Sequence, residues 1–208
     1  MKKIAIKIVM GVVCPIIKSL LIASFIAILL ILILTANSSS AQGTRPAGIL
    51  VGQKVPDDIL RVPLVVVNED SLSILMLKDF EGKAIILDFW ASWCPPCLRA
   101  MPKLDSIYHK KRGSLKVLMI NCDSSDKGFE SIIAFMRKYM LEHSSFSTPL
   151  LTKNKDLMSF FSISQVPHYV WIGADGYVKA TTTEKEITLD NINAFISGTS
   201  LSLNPKTK

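Results

Sequence analysis

The stretch Asp88-Phe89-Trp90-Ala91-Ser92-Trp93-Cys94-Pro95-Pro96-Cys97 decides how the chain is read. It closes an apolar run, Ala84 to Trp90, of the length and turn-bounded setting that fit a buried central strand. Past the cysteines, Leu98, Met101, Leu104, Ile107 and Tyr108 recur at helical spacing. The chain thus predicts a strand that delivers Cys94 and Cys97 onto the first turn of a helix. At i and i+3 their sulfurs share one helix face, within the reach that a disulfide needs. A helix N-terminus carries partial positive charge and unpaired N–H groups, which favour a thiolate over a thiol. On that placement Cys94 is expected to be the exposed nucleophile and Cys97, one turn inside, the resolving thiol.

Two blander readings compete with redox chemistry. A Cys-x-x-Cys pair is also half a zinc site, but no second pair follows, His109, His143 and His168 are scattered, and Cys122 stands alone. A structural disulfide is normal in an exported protein, yet a staple needs neither the helix start nor the flanking Trp93 and Pro96. Pro95 and Pro96 remove two N–H donors near the sulfurs and pre-set the helix entry. The sign of their net effect on a thiolate stays open at this level.

These residues, with Pro102 five positions past Cys97, resemble the thioredoxin superfamily, nearest the exported TlpA/ResA-like thiol–disulfide oxidoreductases. The resemblance runs from Val51 to Ile196, and Val51-Gly52-Gln53-Lys54-Val55-Pro56-Asp57 is similar to the opening of that group. It implies an α/β thioredoxin-like fold: a central mixed β-sheet flanked by helices, with an added N-terminal β-hairpin. It also implies a redox-active disulfide between Cys94 and Cys97 and no cofactor. An aspartate at the place of Asp88 lies beneath the cysteines in thioredoxins. Its buried, pKa-raised carboxyl takes the proton of the resolving thiol through water. The alternative is an aspartate at a strand end satisfied by hydrogen bonds. Where thioredoxin has a lysine nearby, this chain offers Met119.

Val166-Pro167-His168 resembles the family's cis-proline loop, which faces the disulfide. Val166 would offer backbone hydrogen bonds to a substrate chain, and Pro167 would keep a metal from bridging the thiols. His168, where a threonine is common, would line the groove, titrate near neutral pH or do nothing. With Trp93, Pro95 and Pro96 these residues form the expected substrate-binding set. The partners implied are exported proteins with disulfides and a membrane electron donor. A monomer is expected.

The leader carries most of the charge imbalance. Lys2, Lys3, Lys7 and Lys18 precede an uncharged run, Ser19 to Ala36, and no acid occurs before it. A basic n-region and an apolar h-region lead to Ser39-Ser40-Ala41, which suits a signal-peptidase site before Gln42. The run is nearly long enough to span a bilayer, so an uncleaved anchor at 19–36 is the alternative. Either outcome places the domain outside the cytoplasm. The chain holds 24 Lys+Arg against 17 Asp+Glu; without the four leader lysines the difference is +3, too mild to argue for nucleic acid or anionic lipid. Val13 before Cys14 departs from what a lipoprotein site wants. The expected organisation is a leader over 1–41, a linker over 42–50, the domain over 51–198 and a flexible tail over 199–208.

Further elements follow in order. Pro63–Asn68 and Ser73–Leu77 predict a hairpin, and Leu115–Asn121 the next strand. Ser124 and Ser125 are candidate caps for a helix with Phe129, Ile132, Ile133, Phe135, Met136 and Tyr139 on its apolar face. A short helix is expected over Lys155–Phe161, strands over His168–Ile172 and Tyr177–Thr181 about a Gly173–Gly176 turn, and a last helix over Leu189–Ile196. Cys122 reads as a core thiol. The function expected is thiol–disulfide exchange, with reduction the favoured direction. A copper-handling chaperone using His168 and a thioredoxin-like peroxidase are the alternatives.

Overall fold

The computed structural model describes residues 22–31, 48–123, 128–143, 145–199 and 203–204. The chain divides into two units, residues 1–44 and 45–208. In the first, residues 22–31 are helical (α1). No helix among the described residues is long and apolar enough to cross a membrane. The rest of the leader, its expected cleavage site, the ends of the 19–36 run, most of the 42–50 linker and most of the tail lie outside the described residues.

Among the described residues of the second unit, seven strands form one mixed sheet in the order β2-β1-β5-β4-β3-β6-β7. These are β1 (Leu64–Val67), β2 (Leu72–Leu75), β3 (Ala84–Trp90), β4 (Leu115–Asn121), β5 (Leu150–Leu151), β6 (His168–Ile172) and β7 (Val178–Thr182). The helices are α2 (Asp57–Leu60), α3 (Pro95–Lys111), α4 (Phe129–Glu142), α5 (Lys155–Phe160) and α6 (Leu189–Ser197). β3 pairs in parallel with β4 and antiparallel with β6, and all seven of its residues are buried. That is why its sequence is a near-continuous apolar run and not an alternating one. β1 and β2 form the added antiparallel hairpin at one edge.

Strand alternation sorts the core into two layers. Ile86 and Trp90 pack with Met101 and Leu104 of α3, Ile133 and Met136 of α4, and Ile192 and Phe195 of α6. Ile85, Leu87 and Phe89 pack on the other side with Ile59 of α2 and Leu157 of α5. Trp171 joins the first layer edge-on to Phe195 and donates its indole N–H to Thr182 Oγ1 at 2.8 Å. The loop after α4 is tied to α3 by Asp105, whose Oδ1 accepts from Thr148 N at 2.8 Å and Thr148 Oγ1 at 2.7 Å.

Several expectations are corrected at the edges. The residue at the start of α4 is Gly128, not a serine, and Ser124 and Ser125 lie outside the described residues. β7 begins one residue later than expected, since Tyr177, just past the turn in which Gly176 N donates to Gly173 O, forms an isolated antiparallel bridge with Lys54 instead. Residues 48–50 belong to the packed unit: Ile49 leans on the core and its N–H donates to Phe160 O at 3.0 Å. α6 ends where Gly198 adopts φ 70°, a left-handed cap that favours glycine.

Candidate active site

Cys94 is the N-cap of α3, and its N–H donates to Ala91 O. Its Sγ is bonded to Cys97 Sγ at 2.02 Å, with the Cα atoms 5.3 Å apart. Pro95 and Pro96 fill the first two helical positions, so neither supplies an N–H. The first backbone donor of the helix is therefore Cys97 N–H, and it points at Cys94 Sγ from 3.3 Å. The question that the prolines left open is answered in part: two donors are lost, and the one that remains is directed at the N-terminal sulfur. A hydrogen bond to that sulfur favours its ionised form.

The expectation that Cys94 is exposed is corrected. In the disulfide it is 3% exposed and Cys97 0%. Cys94 and Cys97 share one buried cluster with Trp90 and Met101, while Trp93, 61% exposed, and the exposed Pro95 flank Cys94.

The Val166–Pro167 peptide bond is cis. Register places Phe89 beside His168 in the antiparallel β3–β6 pair. The residues just before β6 therefore sit at the end of β3 from which the chain runs to Cys94. His168 does not face the sulfurs. Its ring stands edge-on to Phe89, with centroids 6.3 Å apart, in the layer opposite the one that holds Cys94 and Cys97. The groove-lining role expected of His168 is thus corrected by alternation: its neighbour Tyr169, opposite Asp88, faces the cysteine side.

Asp88 lies on that same side of β3, fully buried, with Met119 of β4 and Tyr169 of β6 as its cross-strand neighbours. Burial pushes its carboxyl up to about 8, against a smaller opposing pull from the Tyr169 hydroxyl. Tyr169 is itself pushed above the ordinary tyrosine range, by burial first and by the Asp88 charge second. Neither Asp88 oxygen closes a hydrogen bond of good geometry.

Asp123 is a residue beside the site that the sequence reading did not single out. It is buried just past β4, and its Oδ2 accepts from Ser92 N at 3.1 Å and Asn121 Nδ2 at 3.0 Å. Cys122 N donates to Trp90 O at 2.7 Å. Together these bonds fasten the Ala91–Trp93 turn to the end of β4. Cys122 donates its thiol to Ile120 O at 3.7 Å, and burial raises it to about 12, as suits a core thiol.

The Thioredoxin-like family is matched over residues 82–178. The chain is similar to proteins of the thioredoxin superfamily and has a thioredoxin-like fold. Thioredoxin-like protein YneN of Bacillus subtilis is 27% identical over 155 residues, 73% of this chain and 84% of that one. Thiol-disulfide oxidoreductase ResA of Oceanobacillus iheyensis is 27% identical over 149 residues, 71% of each chain. The solved thioredoxin domain of a thiol-disulfide oxidoreductase from Bacteroides vulgatus superposes with a TM-score of 0.55 at 19% identity, over 72% of this chain and 99% of that one. With a disulfide closed between Cys94 and Cys97 at the head of α3, this thioredoxin-like chain is a redox enzyme of the thiol–disulfide oxidoreductase class.

Proposed function

We propose that the protein is an exported reductase of protein disulfides. The observation that carries this reading is Cys94 Sγ at the N-cap of α3, capped by Cys97 N–H, with a buried carboxyl on the same side of β3. In the reduced enzyme the Cys94 thiolate attacks a substrate disulfide, forming a mixed disulfide and releasing one substrate thiolate. Asp88 then takes the Cys97 proton. The Cys97 thiolate attacks Cys94 Sγ, the bond from Cys94 to substrate breaks, and the second substrate thiolate leaves. The substrate gains two electrons and the enzyme becomes the Cys94–Cys97 disulfide, which an external dithiol must reduce. Trp93, Pro95, Val166 and Pro167 offer the substrate contact surface.

Export rests on the basic, then uncharged, leader, and direction on the likeness to ResA-type proteins and on the absence of a histidine between the cysteines. Equilibrating the full chain against dithiothreitol and glutathione, and counting oxidised Cys94–Cys97, reads the potential. A value near thioredoxin's ~−270 mV supports a reductase, and one near ~−120 mV overturns it. A reporter active only outside the cytoplasm, fused after Lys208, checks export; activity solely from a cytoplasmic reporter refutes it.

A further inference from the structure

The side of β3 beneath the disulfide holds more polar chemistry than one aspartate. Besides Asp88 it carries the Tyr169 hydroxyl from β6, the Tyr139 hydroxyl from α4 and Trp90 Nε1, all buried and none closing a hydrogen bond of good geometry. Of these, Tyr169 is the direct antiparallel cross-strand neighbour of Asp88, and both residues are 0% exposed. Directly opposite residues on one sheet face have Cβ atoms about 4.5–5.5 Å apart, so a tyrosine side chain readily covers its neighbour's carboxyl. The other cross-strand neighbour, Met119, offers no donor. A buried carboxylate with no cation at hand depends on whatever hydrogen-bond donor its neighbours supply.

We propose that Tyr169 is the positioning residue for Asp88: its hydroxyl donates to the carboxylate that receives the Cys97 proton. The inference rests on the reading of Asp88 as proton acceptor. When Cys97 releases its proton, one Asp88 oxygen takes it and the Cys97 sulfur keeps the electron pair that attacks Cys94. Tyr169 loses no proton in this step. Its O–H aims at the carboxylate before transfer, which orients the accepting oxygen and eases its ionisation. The other titratable group on that side is Tyr139 from α4, itself acted on by Asp105 of α3, with the Cys94–Cys97 disulfide above; Cys122, past β4, packs in the opposite layer and feels the Asp88 charge, and Glu184 acts on Tyr169 from beyond β7.

Tyr169→Phe keeps the ring and removes only the hydroxyl. In the oxidised full chain with ¹³C-labelled aspartate, the Asp88 carboxyl should titrate at higher pH in the variant. In the enzyme, resolution of the mixed disulfide should slow about tenfold at pH 7, the equivalent of one pKa unit, and recover at alkaline pH. An Asp88 titration that stays put in folded Tyr169→Phe overturns the proposal. So does a Tyr169→Phe effect on the pH profile that persists in an Asp88→Asn background, since Tyr169 would then act by another route. If Tyr169→Phe does not fold, Tyr169→Trp, which restores a donor on a larger ring, is titrated instead, and a carboxyl titrating as in the parent chain supports the proposal while one shifted to higher pH overturns it. The titration needs no turnover, so a failed reductase reading would leave it interpretable.

Discussion

Asp88→Asn should make the oxidised protein more stable, and by an amount that grows with pH. The carboxyl is raised from an ordinary 3.8 to about 8 in the folded chain, chiefly by burial. Below pH 3.8 it is protonated both folded and unfolded, so it adds no pH dependence. Between 3.8 and 8 the unfolded chain has lost the proton and the folded chain has kept it, so each pH unit favours unfolding by about 1.4 kcal/mol. Above 8 both forms are ionised and the loss levels off. At pH 7 the accumulated loss is about 4 kcal/mol, a large share of the ~5–15 kcal/mol typical of a domain. Asparagine does not titrate, so the difference between variant and parent should rise from its pH 4 value by about that amount at pH 7. The difference cancels the exposed carboxylates that both chains share. Urea titrations at pH 4, 5.5, 7 and 8.5 read it, and with a slope of about 2 kcal/mol per molar the midpoints should part by about 2 M at neutrality. A gap that does not change with pH would show that Asp88 is ionised in the fold at neutral pH, and the acid–base reading would go with it.

Cys97→Ser should accumulate mixed disulfides with a disulfide-bearing protein substrate, seen as non-reducing gel adducts, whereas Cys94→Ser should accumulate none. Adducts on Cys97 in the Cys94→Ser protein would reverse the roles. Asp123→Ala strips an acceptor from Ser92 N–H and the Asn121 amide, so it should cost on the order of 1–3 kcal/mol in denaturant titration and slow thiol–disulfide exchange. Parent stability together with parent exchange rates would show that the Ala91–Trp93 turn is held by other bonds.

What could be read from sequence was what is local. β3 and the cysteine-bearing start of α3 follow from an apolar run and a helical repeat, and their bounds match the fold. β5 escaped because Leu150 and Leu151 are strand only through β1 on one side and β4 on the other, pairings that a two-residue run does not announce. α2 escaped because Asp57–Leu60 is one turn long, below the length at which periodicity shows. The anchoring role of Asp123 depends on Ser92, 31 positions away, and Asn-Cys-Asp at a strand end carries no sign of it. His168 is a different case. Once Asp88 was placed toward the cysteines, the β3–β6 register decided which of His168 and Tyr169 shared its side, and register is a tertiary fact.

The same alternation explains why the acid is tolerated. A central strand covered on both faces should be apolar throughout, and β3 is so except at Asp88. The exception is on the side where α3 brings the cysteines, and its cross-strand neighbours divide the work unevenly. Met119 supplies no compensating cation against the burial that raises the carboxyl, while Tyr169 provides a hydroxyl that limits how high it goes. A lysine at Met119 would pair with the carboxylate and lower its pKa, making it a weaker base toward Cys97. A phenylalanine at Tyr169 would leave it protonated over more of the neutral range. The pair Met119 and Tyr169 therefore holds the carboxyl near the pH where a base both exists ionised and still binds a proton well, which is the condition for efficient proton transfer. On the proposed role of Asp88, destabilisation of the fold at neutral pH and competence in thiol resolution are then two readings of one desolvated group.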